Sequence, residues 1–219
     1  MKDILVRGSL GDSYIAVSKI KNILDVVHVH HNTLHRYWID LISEIYSLPQ
    51  NVGEITFTDY PRVDLEEITS DPHEQNMEFF PKWDVKGKYT IIKPYIVVQP
   101  HSGKPYGGNN KSMPKFFLQS VFSTSPFKCV LLGTDRRYET LTNCTNLIGK
   151  TTITDSIQII RNAEKFIGPE GLLSFIALSH KVKSTVYYSS KEAVDKRILN
   201  TPWDKYCTLV AINEIWGMI

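Results

Sequence analysis

The sequence predicts an α/β protein with two doubly wound, Rossmann-like domains, and three observations lead to that prediction. Short apolar runs alternate with amphipathic stretches, Gly or Pro follows most of the apolar runs, and an irregular stretch at 59–88 separates two restarts of the alternation. Strands that alternate with helices form parallel sheets covered by helices. We therefore expect one domain over residues 1–90 and a second over residues 91–219.

In the first half, the pattern predicts three strands joined by two helices. The strands are expected at 4–7, 26–30 and 54–58, and the helices at 13–24 and 34–48. The first strand runs into the sequence GSLGD, where Gly8 and Gly11 would form a tight turn that lets a ligand approach the backbone. The Gly8-x-x-Gly11 spacing matches neither the dinucleotide fingerprint nor the phosphate-binding loop.

The second half continues the alternation of strands and helices. Strands are expected at 95–99, 128–132, 146–148, 165–167 and 184–188, and helices at 114–122, 136–142, 154–162 and 171–180. A last amphipathic stretch, from Trp203 to Ile219, is expected to be a helix that packs in the core. Ligands bind beyond the carboxyl ends of the strands in such sheets, so the loops after the strands are where a site is expected.

The composition is that of a soluble globular protein, with 219 residues, 42% hydrophobic and 22% charged. Lys and Arg total 25 against 23 Asp and Glu, which gives no strong signal for nucleic-acid binding. The three cysteines lack a C-x-x-C spacing, so we expect neither a disulfide framework nor a zinc site, and we expect a reducing, cytoplasmic compartment. No apolar run approaches the ~20 residues that span a bilayer, while peripheral membrane contact stays open.

The loop at 100–114 combines glycines with two lysines, Lys104 and Lys111, just before a predicted helix. Backbone N–H groups at the start of a helix, with ammonium groups beside them, form a site that suits a diphosphate. A solvated surface loop has the same composition, and both interpretations stay open. In the loop after residue 167, Glu170 stands at the start of the next helix, either as a favourable first-turn charge or as an acceptor for ligand hydroxyls.

Five loop motifs occur along the chain in a fixed order. They are SLGD at 9–12, KSMP at 111–114, LLGTD at 131–135, NLIGKTTI at 146–153 and FIGPEGLLSFIA at 166–177. In this order they resemble the heptosyltransferase-like glycosyltransferases of glycosyltransferase family 9, which have the GT-B fold of two Rossmann-like domains facing a cleft. The resemblance covers the first ~25 residues and most of 95–190, and it implies a short member with a reduced N-terminal domain.

The chain departs from the family pattern at three positions. Phe175 replaces the histidine of the last motif, Leu172 replaces its final glycine, and Met113 replaces the tryptophan that precedes the proline of the second motif.

The resemblance implies a role for each candidate site residue. Asp12 matches the general base that deprotonates the acceptor hydroxyl, with Gly11 beside it. Lys111 matches the lysine that binds the donor diphosphate, helped by the backbone amides of Ser102 and Gly103 and by Lys104. Asp135 falls near the carboxylate that binds the ribose hydroxyls, and Glu170, followed by Gly171, matches the acidic residue that binds sugar or ribose hydroxyls.

The implied activity is inverting transfer of a sugar from a nucleotide-diphosphate sugar to a hydroxyl of a glycan, a lipid-linked sugar or another acceptor. Lysine and helix termini can stabilise the diphosphate, so we expect no metal and no other cofactor. The small size fits a protein of a bacterial, viral or phage-host cytosol. Two alternatives stay open: a nucleotide-sugar epimerase or hydrolase on the same scaffold, and a non-catalytic nucleotide-sugar-binding module.

Four histidines lie close together at 28, 30, 31 and 35. We expect His28 and His30 to share one face of a strand, and His31 and His35 one face of a helix. No carboxylate or cysteine lies nearby along the chain at a matching spacing, so a half-exposed strand end is favoured over a metal site.

Overall fold

The computed structural model describes residues 1–33, 36–69, 82–102, 111–188, 190 and 204–211. The chain divides into two compact units, Met1–Trp83 and Asp84–Ile219. The division falls within the irregular stretch, seven residues before the expected end of the first domain. Among the described residues, no helix combines the length and the apolar character needed to cross a membrane.

The first unit contains a four-stranded parallel sheet. Its strands and helices are β1 (Lys2–Arg7), α1 (Leu10–Ile20), β2 (Val27–Asn32), α2 (Ile39–Tyr46), β3 (Val52–Thr58) and β4 (Glu66–Glu67). The strand order is β3-β2-β1-β4, and every pair is parallel. Alternate residues of β1 differ in character, since Ile4 and Val6 are buried while Asp3 and Arg7 are exposed. Asp3 and Arg7 share their face of the sheet with the buried Leu5, so that face carries charged side chains beside an apolar one.

The second unit contains a larger parallel sheet. The elements of this unit are β5 (Tyr95–Val98), β6 (His101–Ser102), β7 (Lys111–Ser112), α3 (Lys115–Thr124), β8 (Lys128–Leu131), β9 (Thr145–Asn146), α4 (Ile153–Arg161), β10 (Lys165–Pro169), α5 (Leu172–Ser179), β11 (Ser184–Tyr188) and β12 (Cys207–Ala211). The sheet order is β12-β11-β10-β5-β8-β9. Numbered by their place along the chain, these six strands have the order 3-2-1-4-5-6 of dinucleotide-binding folds.

The strand order reverses between β5 and β10, which are neighbours in the sheet but are the first and fourth of its strands along the chain. The chain leaves β5 toward one side of the sheet and leaves β10 toward the other, so the loops that follow these strands diverge and leave a crevice. The two strands are paired through Val97 and Phe166. A ligand site is therefore expected beyond Val98 and Pro169, where β5 and β10 end.

Several predicted elements have different bounds or a different type in the structure. The first helix begins at Leu10 and not at residue 13, because Ser9 is already its N-cap. Only a 3-10 turn, Arg36–Trp38, precedes α2, and only a 3-10 turn, Arg136–Tyr138, stands where a helix was expected at 136–142.

Four strands were missed by the sequence prediction, among them β6 (His101–Ser102) and β7 (Lys111–Ser112), which pair with each other where a loop was expected. Glu66–Glu67, within the acidic part of the irregular stretch, pairs with β1 at the edge of the first sheet. The helix expected from Trp203 to Ile219 was wrong over its described part: Asp204–Tyr206 is a 3-10 turn and Cys207–Ala211 is a strand that pairs with β11. The rest of that stretch, residues 203 and 212–219, lies outside the described residues.

Candidate functional site

At the reversal point of the second sheet, the hydrogen bonding between β5 and β10 extends one residue beyond the end of β5, to Gln99. The backbone N–H of Gln99, which follows β5, donates to the carbonyl of Ile167 in β10 at 2.8 Å. The side-chain amide of Gln99 then donates to the carbonyl of His101 at 2.8 Å. Gln99 is buried, and its Oε1 has no hydrogen-bond partner among the described residues. This residue fixes how the chain turns from β5 into the next loop.

A short antiparallel ribbon holds Lys111 at that loop. Ser102 in β6 pairs with Lys111 in β7, and His101 pairs with Ser112. The Met113 N–H also donates to the carbonyl of Pro100 at 2.8 Å. Lys111 is therefore fixed to the end of β5 by backbone hydrogen bonds, although twelve residues of chain separate it from Val98.

Lys111 forms an ion pair with Glu170 across the reversal point. Its Nζ binds the Glu170 carboxylate, and it lies 3.5 Å from the Glu170 carbonyl oxygen. The Lys111 side chain is 21% exposed and that of Glu170 is 10% exposed. A pair this sheltered from water interacts more strongly than one on the surface, and removing one partner leaves the other desolvated without compensation. The arrangement offers a cation for phosphate oxygens beside a carboxylate for hydroxyl donors.

Ser102 and Gly171 are in contact at the same place. A Cβ at Gly171 would overlap the Oγ of Ser102 and lie 3.3 Å from its Cβ. Only glycine fits there without displacing Ser102. Four of the predicted ligand-binding residues therefore lie together: Ser102, Lys111, Glu170 and Gly171.

Asp135 is engaged locally. It caps the 3-10 turn and accepts hydrogen bonds from the backbone N–H of Arg137 at 3.0 Å and from its guanidinium at 2.9 Å. The Arg137 contacts lower the pKa of the Asp135 carboxyl against the opposing effect of desolvation. A ribose would have to share the carboxylate with Arg137.

Two predicted site residues, Gly103 and Lys104, lie outside the described residues. The three positions that depart from the family pattern are buried, with Met113 at 3% exposure, Leu172 at 8% and Phe175 at 2%. Apolar side chains here contribute to packing and cannot contact a phosphate by hydrogen bonding.

In the first unit, Gly8 and Asp12 are in close contact at the end of β1. Gly8 has φ +119°, and a Cβ there would lie 2.6 Å from the Cβ of Asp12. The backbone N–H of Ser9 donates to Asp12 Oδ2 at 2.8 Å. Gly8 makes the tight turn that was expected, whereas Gly11 lies within the first turn of α1, outside the tight turn. The partly buried Asp12 is thus an N-terminal residue of α1.

His31 supports this turn from the interior. Its Nε2 lies 3.3 Å from the carbonyl oxygen of Gly8 and its Nδ1 lies 2.8 Å from the hydroxyl of Tyr46. Since a carbonyl only accepts, Nε2 carries the proton and Nδ1 accepts from Tyr46. Burial lowers the pKa of His31 to about 4, against opposing effects of the Gly8 carbonyl and Asp12. Burial also raises the pKa of Tyr46.

Sequence reasoning missed Gln99 and assigned His31 to a helix, where the structure places it in β2. His31 therefore faces the opposite side of the sheet from His28 and His30, and His35 lies outside the described residues. The expectation that no carboxylate accompanies the histidines was wrong in space: Asp3 lies against both His28 and His30. Asp3 comes from β1, so the spacing of residues around the histidines could not reveal it.

Comparisons with known proteins give a likeness in structure only. No protein-family model matches the chain, and no curated protein matches its sequence. Among solved structures, the ADP-heptose lipopolysaccharide heptosyltransferase II of E. coli has a TM-score of 0.62 at 12% identity, covering 96% of this chain and 90% of that one. The glycosyltransferase family 9 protein of Veillonella parvula has a TM-score of 0.62 at 9% identity, covering 99% and 88%.

A third solved structure is TibC, described as a dodecameric iron-containing heptosyltransferase in complex with ADP-D-beta-D-heptose. Its TM-score is 0.55 at 14% identity, covering 92% of this chain and 61% of that one. The resemblance drawn from the five loop motifs is therefore confirmed at the level of fold. The chain has the GT-B fold of the heptosyltransferases, with a parallel α/β sheet in each of its two units.

Proposed function

We propose that the protein is a glycosyltransferase that moves a sugar from a nucleoside-diphosphate sugar to an acceptor hydroxyl. The observation that carries the proposal is the cluster of Ser102, Lys111, Glu170 and Gly171 at the strand reversal of a sheet that has the strand order of dinucleotide-binding folds. A sheltered cation and a carboxylate side by side match the two features of such a donor, phosphate charge and sugar hydroxyls. The fold of the solved heptosyltransferases agrees with this assignment.

The donor side belongs to the second unit in this proposal. Lys111 would neutralise the charge that develops on the diphosphate as the glycosidic bond breaks, and Glu170 would accept hydrogen bonds from ribose or sugar hydroxyls. Gly103 and Lys104 belong to the same loop. ADP-linked sugars are the first donors to test, because TibC was solved with ADP-D-beta-D-heptose.

The acceptor side belongs to the first unit, with Asp12 as the general base. The acceptor oxygen attacks the anomeric carbon and gives its proton to the Asp12 carboxylate, while the bond to the diphosphate oxygen breaks and its electron pair leaves with the nucleoside diphosphate. Attack opposite the leaving group inverts the anomeric configuration. The lysine ammonium can supply the charge that a metal provides in other transferases, so transfer needs no catalytic metal.

We place the protein in the cytoplasm, since its described cysteines are free thiols. The acceptor is a hydroxyl of a glycan, a lipid-linked sugar or another molecule.

The test is binding and turnover with ADP-, UDP-, GDP- and dTDP-sugars in the presence of a chelator. CMP-sugars, which carry a single phosphate, are the ligand control. A donor should raise the melting temperature of the parent according to its concentration and Kd. Lys111→Met should abolish this rise in melting temperature, and the separate Lys111→Arg variant should retain part of it, because an arginine keeps the positive charge. Lys115→Met removes an exposed lysine four residues further on and should behave like the parent.

Asp12→Asn should retain donor binding and lose release of nucleoside diphosphate. The proposal fails if no diphosphate sugar stabilises the parent, or if Lys111→Met and Lys115→Met respond equally. Donor binding without turnover in every acceptor mixture would favour the non-catalytic binding module.

A further inference from the structure

The charged face of the first sheet brings together three metal-ligating side chains. Asp3 in β1 is paired in register with His28 in β2, and His30 lies two residues further along β2. Residues paired across parallel strands, and residues two apart, project from the same face. The backbone alone therefore directs all three side chains into one patch.

The ligand atoms of these side chains converge on a single point. Asp3 Oδ1 lies 3.0 Å from His28 Nδ1 and 2.8 Å from His30 Nε2, and the three atoms lie within 4.8 Å of one another. In a tetrahedral zinc site with bonds of about 2.0–2.1 Å, neighbouring ligand atoms are about 3.3 Å apart. The two distances to Asp3 are within a few tenths of an ångström of that spacing.

A neighbouring hydroxyl orients one of the imidazoles. His28 Nε2 lies 2.9 Å from the Oγ1 of Thr56 in β3. A threonine hydroxyl can donate or accept a hydrogen bond, so it can pair with either tautomer of His28. Without an ion, the His28 proton can lie on Nδ1, which faces Asp3. With an ion bound at Nδ1, the proton lies on Nε2, which faces Thr56. An outer partner that fixes the ring of a histidine ligand is typical of metal sites. The second imidazole is held by packing, since the ring centroids of His28 and His30 are 4.1 Å apart.

The charge and accessibility of the cluster also suit a cation. His30 is buried and His28 is 14% exposed at its side chain, while the Asp3 side chain is 48% exposed and leaves an entry path. Glu54 in β3 lies 3.9 Å from His28 Nδ1, close enough to be a fourth ligand. Arg62, which acts on Asp3, is itself paired with Asp64 at 2.7 Å, so its charge is largely neutralised.

We propose that Asp3, His28 and His30 form a binding site for one divalent transition-metal ion, with Glu54 or water completing the coordination. Two imidazoles and one carboxylate favour zinc and its neighbours over magnesium or calcium, which prefer oxygen ligands. The ion joins β1 to β2 and stabilises the first unit. This site is separate from the proposed transfer chemistry, because the cluster lies within the strands whereas Asp12 follows the end of β1.

The test is a calorimetric titration of the metal-free, full-length protein with zinc chloride. The parent should bind one zinc ion, and its melting temperature should rise by about 5 °C at saturation. His28→Gln and His30→Gln should each weaken binding at least about 100-fold, and Asp3→Asn should weaken it about 10-fold. His101→Gln, which removes a histidine of the second unit, should bind as the parent does. Far-ultraviolet circular dichroism checks that each variant is folded.

A second measurement needs no variant. X-ray absorption of the zinc-loaded parent should show nitrogen and oxygen neighbours at about 2.0–2.1 Å with the outer-shell pattern of two imidazoles. Sulfur at about 2.3 Å would place the zinc on cysteine thiols and overturn the proposal. The proposal would also be overturned if zinc did not bind to the folded parent, or if the parent and a His28→Gln/His30→Gln variant bound zinc with equal affinity.

Discussion

The Oδ2 atom of Asp12 accepts both the backbone N–H of Ser9 at 2.8 Å and the hydroxyl of Ser9 at 3.1 Å. The residue proposed as the base is therefore also the N3 residue of the capping box at the start of α1. An effect of substitution on activity has to be separated from an effect on the helix start. The structure offers a matched control, because Asp155 Oδ2 accepts the Thr152 N–H at 3.1 Å in the equivalent position of α4.

Asp12→Asn should reduce turnover at least about 100-fold while lowering the free energy of unfolding by about 1 kcal/mol. An asparagine oxygen can still accept from Ser9, but it cannot take a proton from the acceptor. Asp155→Asn should cost at least as much stability, since Asp155 also accepts the Lys88 N–H at 2.7 Å, and should leave kcat unchanged. Steady-state kinetics and urea unfolding distinguish the two. Equal loss of turnover in both variants would contradict the role of Asp12.

Gly8→Ala should lower the free energy of unfolding by about 2 kcal/mol or more. A side chain at φ +119° is strained, and its Cβ would overlap Asp12. Gly149→Ala is the control, because φ is +67° there and no atom lies within 4 Å of the added Cβ. We expect about 1 kcal/mol for that change. Chemical unfolding of the two variants measures the difference, and equal costs would show that the contact with Asp12 carries no energy.

Gly171→Ala should weaken donor binding about 10-fold, or about 1.4 kcal/mol, because its methyl group displaces the Ser102 hydroxyl. Ser102→Ala removes the overlapping oxygen and leaves the Cβ at 3.3 Å. Adding Gly171→Ala to the Ser102→Ala protein should therefore cost much less than adding it to the parent. A double-mutant cycle on Kd measures the coupling. Additive losses would mean that the two residues act independently.

Stability should fall as the pH is lowered from about 6.5 to 4 because of His31. Its pKa is about 4 in the folded protein and 6.5 without burial, so the unfolded chain binds the proton more tightly. The contribution of the neutral His31 ring to the free energy of unfolding is fully present above pH 6.5. It is lost as the pH falls toward 4, by about 3 kcal/mol in total. Urea unfolding with a chelator present measures the slope, which His31→Gln should flatten. An unchanged slope would assign the acid sensitivity to other groups.

Much of the second unit could be predicted because its strands are short, apolar and separated by clear turn residues. The predicted strand Ser184–Tyr188 has the observed bounds, and the ordered loop motifs brought Lys111 and Glu170 together before the sheet order was known. The segment Cys207–Ala211 was mistaken for a helix because its apolar residues also fit a helical period. Its pairing with β11 decides its structure, and such pairing depends on contacts that are distant along the chain.

Most of the remaining misses also arise from contacts between residues that are distant along the chain, and only that of Ser9 is local. Asp3 meets His28 and His30 only because β1 pairs with β2 in one register, which the spacing of residues does not reveal. Ser9 looks like a turn residue in the sequence, yet its hydrogen bonds to Asp12 make it the start of α1. Gln99 carries no motif, and its importance follows from the crossing of two chain segments at the strand reversal.

The ion pair of Lys111 and Glu170 has a consequence for selectivity. In the proposed donor site, each of the two groups already satisfies the other in the absence of ligand, so the pair carries no net charge to attract inorganic phosphate or pyrophosphate. A ligand would have to replace both halves of the pair at once, with phosphate oxygens at the ammonium and hydroxyls at the carboxylate. In this proposal the resting pair favours molecules that carry both groups over molecules that carry only one.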